Sequence, residues 1–354
     1  MNFDGGQTLI LAILTLFLGK FLNHHITFLR SYNIPEPVTG GVLVSVGFAI
    51  LYSITGDVAS FDLADRDALL VVFFTCVGLN AKFSTLFAGG KPLLILIACA
   101  SAFLVMQNLT GIGVAYLLDA PLLSGLLGGS VSLSGGHGTT IAWTPIFRDE
   151  LGIENAMVIG IAVATFGLVI GGIVGGPISQ FLINRYQLKA ASQDDDYIVG
   201  LPDAFSEADA GGAIAAGHEH INVDTILTCL LVIAIAGGIG MEISDQAGGM
   251  GVKLPDFVGA LLAGILLTNL APPLLKGVPW PSGGNSLALI SDVSLSLFLA
   301  MSLMSLQLWS IVSVAGQLLL LLAAQLAMIT AWVVFVIFPL MGKTYDAAVM
   351  AGGY

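Results

Sequence analysis

The feature that most limits what this chain can become is a succession of apolar stretches, each near the length of a bilayer crossing and separated by short polar breaks. Residues 8–18, 38–52, 92–106, 158–173, 223–239 and 317–340 are examples, and there are about ten in all at the usual length of a crossing. A soluble core has no place for so many central helices with almost no amphipathic ones around them, whereas a bilayer does. Composition agrees: 56% of residues are hydrophobic and 10% are charged, where a soluble domain needs about a quarter charged. The solvent around most of the chain is therefore lipid.

Other classes fall away on charge and chemistry. A formal net charge of −12 without any Lys/Arg cluster gives nucleic acid nothing to hold. Cys76, Cys99 and Cys229 lie inside apolar runs without ligand spacing and read as small buried hydrophobes. No Gly-rich nucleotide loop, zinc motif or protease or kinase signature appears, so no enzyme and no cofactor is expected. Met1–Asp4 carries no basic side chain, and no small-residue cleavage site follows the first apolar run, which reads as a retained span.

Spans are expected at 7–29, 38–55, 68–87, 93–118, 157–186, 223–240, 257–275, 286–306 and 311–340. The stretch 121–143 is different. Its centre reads Ser132-Leu-Ser-Gly-Gly-His-Gly-Thr-Thr140, and Gly125, Gly128 and Gly129 precede it. Glycines and hydroxyls at that density disfavour a continuous helix, so the stretch is expected to enter the membrane, break and return. Charge bears on the same point. With a re-entrant 121–143, Arg30, Lys82, Lys91, Arg185, Lys189, Lys276 and Lys343 fall on one side and only Arg66, Arg148 and Lys253 on the other. The richer side is cytoplasmic by the positive-inside rule, which puts the amino terminus outside. Residues 187–222 are the one long polar segment, with Asp194, Asp195, Asp196, His218 and His220. They are expected to form an acidic cytoplasmic linker, its histidines solvated rather than metal-bound.

The chain also repeats itself. Ile34-Pro-Glu-Pro-Val resembles Leu254-Pro-Asp-Phe-Val at an offset of 220 residues (Pro35 to Pro255), and residues 74–79 resemble 299–304 at an offset of 225 (Phe74 to Leu299). Five spans precede the linker, and because five is odd, the second copy is inverted relative to the first. The expected fold is an all-α polytopic membrane protein of two inverted repeats, 1–186 and 223–354, each with five transmembrane helices and a re-entrant hairpin. The offset starts the second hairpin near Asp346, so the second repeat is incomplete within the chain, which ends at Tyr354.

Ser132, Ser134, Gly135, Gly136, His137, Gly138, Thr139 and Thr140 are the leading candidate site. Glycines present bare backbone groups, hydroxyls add hard oxygens, and helix ends aim their dipoles inward, which suits an anion and a small cation together. The competing explanation is close helix packing through small residues. His137 has three readings: substrate contact, proton shuttle, or a histidine satisfied by carbonyls. Gln107 and Asn108 interrupt an apolar span as either site residues or interhelical hydrogen-bonding groups; the second reading is favoured for Asn80, Asn269 and Gln325. Asp292 either caps a helix or reaches a cavity.

With these residues the chain resembles the sodium/glutamate symporters of bacterial inner membranes. The resemblance is carried by Tyr32-Asn-Ile-Pro-Glu-Pro-Val-Thr-Gly-Gly41, Gly78-Leu-Asn80, Met106-Gln-Asn108, Ser134-Gly-Gly-His-Gly-Thr139, Thr165-Phe-Gly-Leu168, Ser294-Leu-Ser-Leu-Phe-Leu-Ala-Met301 and Met341-Gly-Lys-Thr-Tyr-Asp-Ala-Ala348, in order from end to end. It implies ten helices in two inverted halves, two glycine-rich re-entrant loops, sodium-driven uptake of L-glutamate and a homodimer in the inner membrane. The first re-entrant motif falls on Ser134, Gly135, Gly136, His137 and Gly138, with Ser134 and Asn108 as expected sodium ligands. A proton-coupled carrier of another organic anion, a channel with two pore loops, and a receptor or scaffold are the alternatives.

Overall fold

The computed structural model describes residues 1–31, 34–84, 90–188, 221–251, 254–274, 280–306, 315–343 and 345. Most of the expected linker and the expected second hairpin lie outside the described residues. In chain order the elements are β1 (Asn2–Phe3), α1 (Gly5–His25), α2 (Thr27–Ser31), α3 (Glu36–Thr55), β2 (Ser60–Phe61), α4 (Ala64–Asn80), α5 (Gly90–Leu117), α6 (Ser124–Leu127), α7 (Ser130–Leu133), α8 (Gly136–Asp149), α9 (Ala156–Tyr186), α10 (Val223–Gly249), α11 (Asp256–Leu274), α12 (Asn285–Met304), α13 (Ala315–Trp332) and α14 (Phe338–Leu340). A π-helical turn, Val333–Ile337, joins the last two.

The protein is an all-α polytopic membrane protein apart from one short ladder, in which Asn2 pairs with Ser60 and Phe3 with Phe61 in parallel. Among the described residues, seven helices are long and apolar enough to cross a bilayer: Gly5–His25, Glu36–Thr55, Ile97–Leu117, Val223–Gly249, Asp256–Leu274, Asn285–Met304 and Ala315–Leu340. The other two expected spans correspond to α4, of 17 residues, and α9, of 31. The first span is shorter than its apolar run, because the helix ends at His25 and α2 begins at Thr27.

Helix boundaries follow local chemistry. Pro35 precedes α3 and Pro255 precedes α11. The carbonyl of Pro35 accepts from the N–H groups of Val38 and Thr39, and that of Pro255 from Val258 and Gly259. Glu36 and Asp256 place an acid in each first turn, where the helix dipole favours it. At α10 a capping box closes the start: Asn222 accepts from the Thr225 N–H (2.9 Å) and the Thr225 hydroxyl accepts from the Asn222 N–H (3.0 Å).

Packing inverts the soluble pattern. On α1 the buried residues are Thr8, Ala12, Thr15 and Gly19, while Leu14, Phe17 and Phe21 are exposed. On α11, Gly259, Ala260, Ala263 and Gly264 are buried and Leu262, Leu266 and Leu270 are exposed. Small residues let helix backbones approach while large apolar ones face outward, the arrangement lipid favours.

The chain forms two compact units. The first contains α1, α3, α4, α10, α11 and α12; α1 packs on α3, α10 on α11, α3 on α12 and α4 on both α11 and α12. The second contains α2, α5 to α9, α13 and α14. Here Val114, Ala162, Val163, Leu318, Leu321 and Leu322 form one core joining α5, α9 and α13. A second core, of Leu182, Val333, Ile337 and Phe338, lies between α9 and the π turn. Each unit draws helices from both 1–186 and 223–354.

Candidate functional site

Residues 121–143 are not an unbroken rod. They form α6, α7 and the start of α8, separated at Gly128–Gly129 and at Ser134–Gly135. Gly129 leaves the helical region (φ −115°, ψ −130°), which frees backbone groups from helical pairing. Two of them find partners on neighbouring helices. Asn108 Oδ1 on α5 accepts from the Ser130 N–H at 2.9 Å, and Gln325 Nε2 on α13 donates to the Gly128 carbonyl at 2.9 Å. A break in an apolar bundle is tolerable only when its freed groups are satisfied in this way.

The second break has its own support. Ser134, exposed at the turn, donates through Oγ to Gln107 Oε1 at 2.7 Å. Gly136 adopts φ +68°, a left-handed conformation that side chains disfavour. Helix α8 then starts, and the N–H groups of its first turn, Gly136 to Thr139, have no acceptor within the helix backbone. Thr140 Oγ1 lies 2.8 Å from the Gly136 carbonyl and 3.0 Å from Ser132 Oγ, locking α7 to α8. Ser132 and Thr140 are thus buried braces, while Ser134, Gly135, Gly138 and Thr139 retain some exposure.

His137 is buried, and its Nε2 lies 3.0 Å from Thr165 Oγ1 on α9. Because the Thr165 hydroxyl donates to the Ile161 carbonyl at 2.8 Å, it accepts from the ring. His137 is therefore a donor at Nε2.

The structure places Gln107, Asn108, Ser132, Ser134 and Thr140 at the two breaks in the second unit, Gln107 bonded to Ser134, Asn108 to the Ser130 N–H and Ser132 to Thr140, with His137 next to them on α8. Asp292 belongs to the first unit, exposed on α12. Nothing in the cluster is formally charged, so its polarity comes from backbone dipoles, amides and hydroxyls.

Comparison with known proteins shows the family to which the chain belongs. The profile described as sodium/glutamate symporter matches residues 1–354, the entire chain. The chain belongs to the sodium/glutamate symporter family. A sodium/glutamate symporter of Escherichia coli (strain K12) is 40% identical over 353 residues, covering 100% of this chain and 85% of that protein. One of Shigella flexneri matches at the same identity and coverage. One of Haemophilus influenzae (strain ATCC 51907 / DSM 11121 / KW20 / Rd) is 38% identical over 353 residues, again covering 85% of its length. No solved structure matches the chain significantly. The family is one of transporters and not of enzymes.

Two contributors to this family member's cluster were hard to foresee. Thr165 orients His137, and its only sequence signal is its place in the Thr165-Phe-Gly-Leu168 segment. Gln325 bears out its interhelical reading, since its Nε2 also donates to the Gln107 carbonyl at 2.9 Å. That it grips the break itself is visible only in three dimensions. Asn269 and Asn80 act likewise in the first unit: Asn269 bonds Phe83 N and the Ala81 carbonyl, each at 2.8 Å, and Asn80 Oδ1 accepts from Gly283 N at 3.0 Å.

Proposed function

We propose that the chain carries L-glutamate with sodium across the bacterial inner membrane by alternating access. The observation that carries this reading is the end-to-end match to sodium/glutamate symporters, with 40% identity over 353 residues. The broken helix supplies a physical route. The free N–H groups at the start of α8 suit a carboxylate, and the oxygens of Ser134 and Asn108 suit sodium. Ser134 spends its proton on Gln107 and keeps its lone pairs. A bound cation would then raise the affinity for an anionic substrate, which couples the two. Protein in vesicles is expected to take up glutamate only under an inward sodium gradient. Equal uptake without sodium would refute the coupling.

The architecture proposed for this transport is two inverted repeats of five helices, each with a re-entrant hairpin. Support comes from contacts that recur at the duplication offset. A side chain at Gly19 would strike the Glu36 carbonyl where α1 crosses α3, and one at Gly240 would strike Ala260 where α10 crosses α11. Gly78 of α4 lies against Gly264 of α11, and Gly41 of α3 against Leu303 of α12. Gly19 to Gly240 spans 221 residues, Gly41 to Gly264 spans 223 and Gly78 to Leu303 spans 225. Gln107 and Gln325, on α5 and α13, are 218 apart. Duplication accounts for such paired contacts, and inversion follows from the odd number of spans.

We place the amino terminus in the periplasm on the distribution of basic residues and infer a homodimer from the family resemblance. In a background without Cys76, Cys99 and Cys229, Asp4→Cys and Arg148→Cys are expected to react with an impermeant thiol reagent added outside intact cells, and Arg185→Cys is not. The reverse pattern would invert the orientation.

A further inference from the structure

Gln325 is 3% exposed, and its amide is held by two carbonyls. Nε2 donates to the Gln107 carbonyl and to the Gly128 carbonyl, each at 2.9 Å. Those acceptors fix the amide's orientation, because turning it over would set three oxygens against one another. Both amide protons are therefore used. The other end, Oε1, is buried and has no hydrogen-bond partner among the described residues.

Gln107 provides the comparison. It is buried to the same degree, 3%, yet its Oε1 accepts the Ser134 hydroxyl. Buried amide oxygens are normally satisfied, and one that is not points to a bound water or ion. The surroundings define the class of that ligand. Gln325 Oε1 is a hard neutral oxygen on a side chain that grips the break at Gly128–Gly129, where the other bonded side chains are amides and hydroxyls. Unwound carbonyls and neutral side-chain oxygens of this kind take small monovalent cations in secondary transporters.

We propose that Gln325 supplies, through Oε1, an oxygen ligand to the coupling sodium ion. Its two donor bonds hold that oxygen in position, so the residue that braces the break also reports to it whether the ion is bound. This rests on the sodium-coupled reading above and adds a ligand contributed by α13, far in sequence from Ser134 and Asn108.

The test is a sodium titration of thermal stability with the purified protein, at constant ionic strength maintained with choline. Sodium is expected to raise the Tm of the wild-type protein with a saturable midpoint. Gln325→Met, which lacks the oxygen, is expected to shift that midpoint upward by at least about tenfold, the effect of one lost hydrogen-bond-strength contact. Gln325→Glu keeps Oε1 but puts in place of Nε2 an oxygen that must be protonated to face the Gln107 and Gly128 carbonyls, so its sodium midpoint is expected to depend on pH where that of the wild type does not. If Gln325→Met does not fold, Gln325→Glu decides. Midpoints equal to wild type in whichever variants fold would overturn the proposal and leave only a water at Oε1. A wild-type protein with no sodium response would instead overturn sodium coupling itself.

Discussion

Gly125→Val is expected to prevent accumulation of folded protein. Helices α5 and α6 cross at Gly111 and Gly125 with backbone against backbone. A β-carbon at Gly125 would overlap the Gly111 carbonyl group and the Ile112 nitrogen, and one at Gly111 would overlap the Gly125 carbonyl. No side chain can move aside, so the helices must separate. Overpacking costs about 1–3 kcal/mol where neighbours yield, and backbone on both sides puts this site at or above the upper end. Separation also strains the bonds that span the same gap, Asn108 to Ser130 and Gln107 to Ser134, each worth about 1 kcal/mol net. Against a total stability of about 5–15 kcal/mol, the loss is large. Monodisperse yield and Tm measure it, and Gly113→Ala, with open space around its β-carbon, is the neutral control. A Gly125→Val protein melting with the wild type would show that the crossing is looser than described.

The second large effect concerns transport itself. Gln107→Leu removes the acceptor that positions the Ser134 hydroxyl and leaves that hydroxyl free to turn at the break. Sodium-driven glutamate uptake is expected to fall by about 10- to 100-fold, the range for losing a buried hydrogen bond together with the group it orients. Ser134→Ala is expected to cost at least as much, because it removes the oxygen that Gln107 positions. The two residues act through one bond, so the Gln107→Leu/Ser134→Ala double variant is expected to be no slower than Ser134→Ala alone. Initial uptake rates of the three variants form a double-mutant cycle, and losses that multiply would mean that Gln107 and Ser134 contribute separately.

Much of the site was legible because breaking a helix in lipid requires unusual residues. The density of glycine and hydroxyl from Ser132 to Thr140 marked the break, and the Gln107–Asn108 pair was conspicuous in an apolar span. Their partnership was not legible. Ser134 and Gln107 lie on different helices, and hydropathy assigns both to the membrane without saying which faces meet. Thr165 looked like any hydroxyl on an apolar helix, and Gln325 like any interhelical amide. Asp292 drew notice as a charge near a span, and it lies in the first unit. Span edges misled for a related reason. The apolar run of the first span continues past the point where α1 stops at His25, since hydropathy registers lipid compatibility and not where the backbone turns.

Lipid as solvent and the position of the helical break followed from sequence, because each leaves a local mark: charge scarcity and glycine density. Only the tertiary structure assigned the freed backbone groups to particular amides and divided the helices between two units. Apolar helices are interchangeable to a bilayer, so the choice of neighbour rests on small-residue contacts such as Gly111 with Gly125 and on hydrogen bonds such as Gln325 with Gly128, which exist only once the chain is packed.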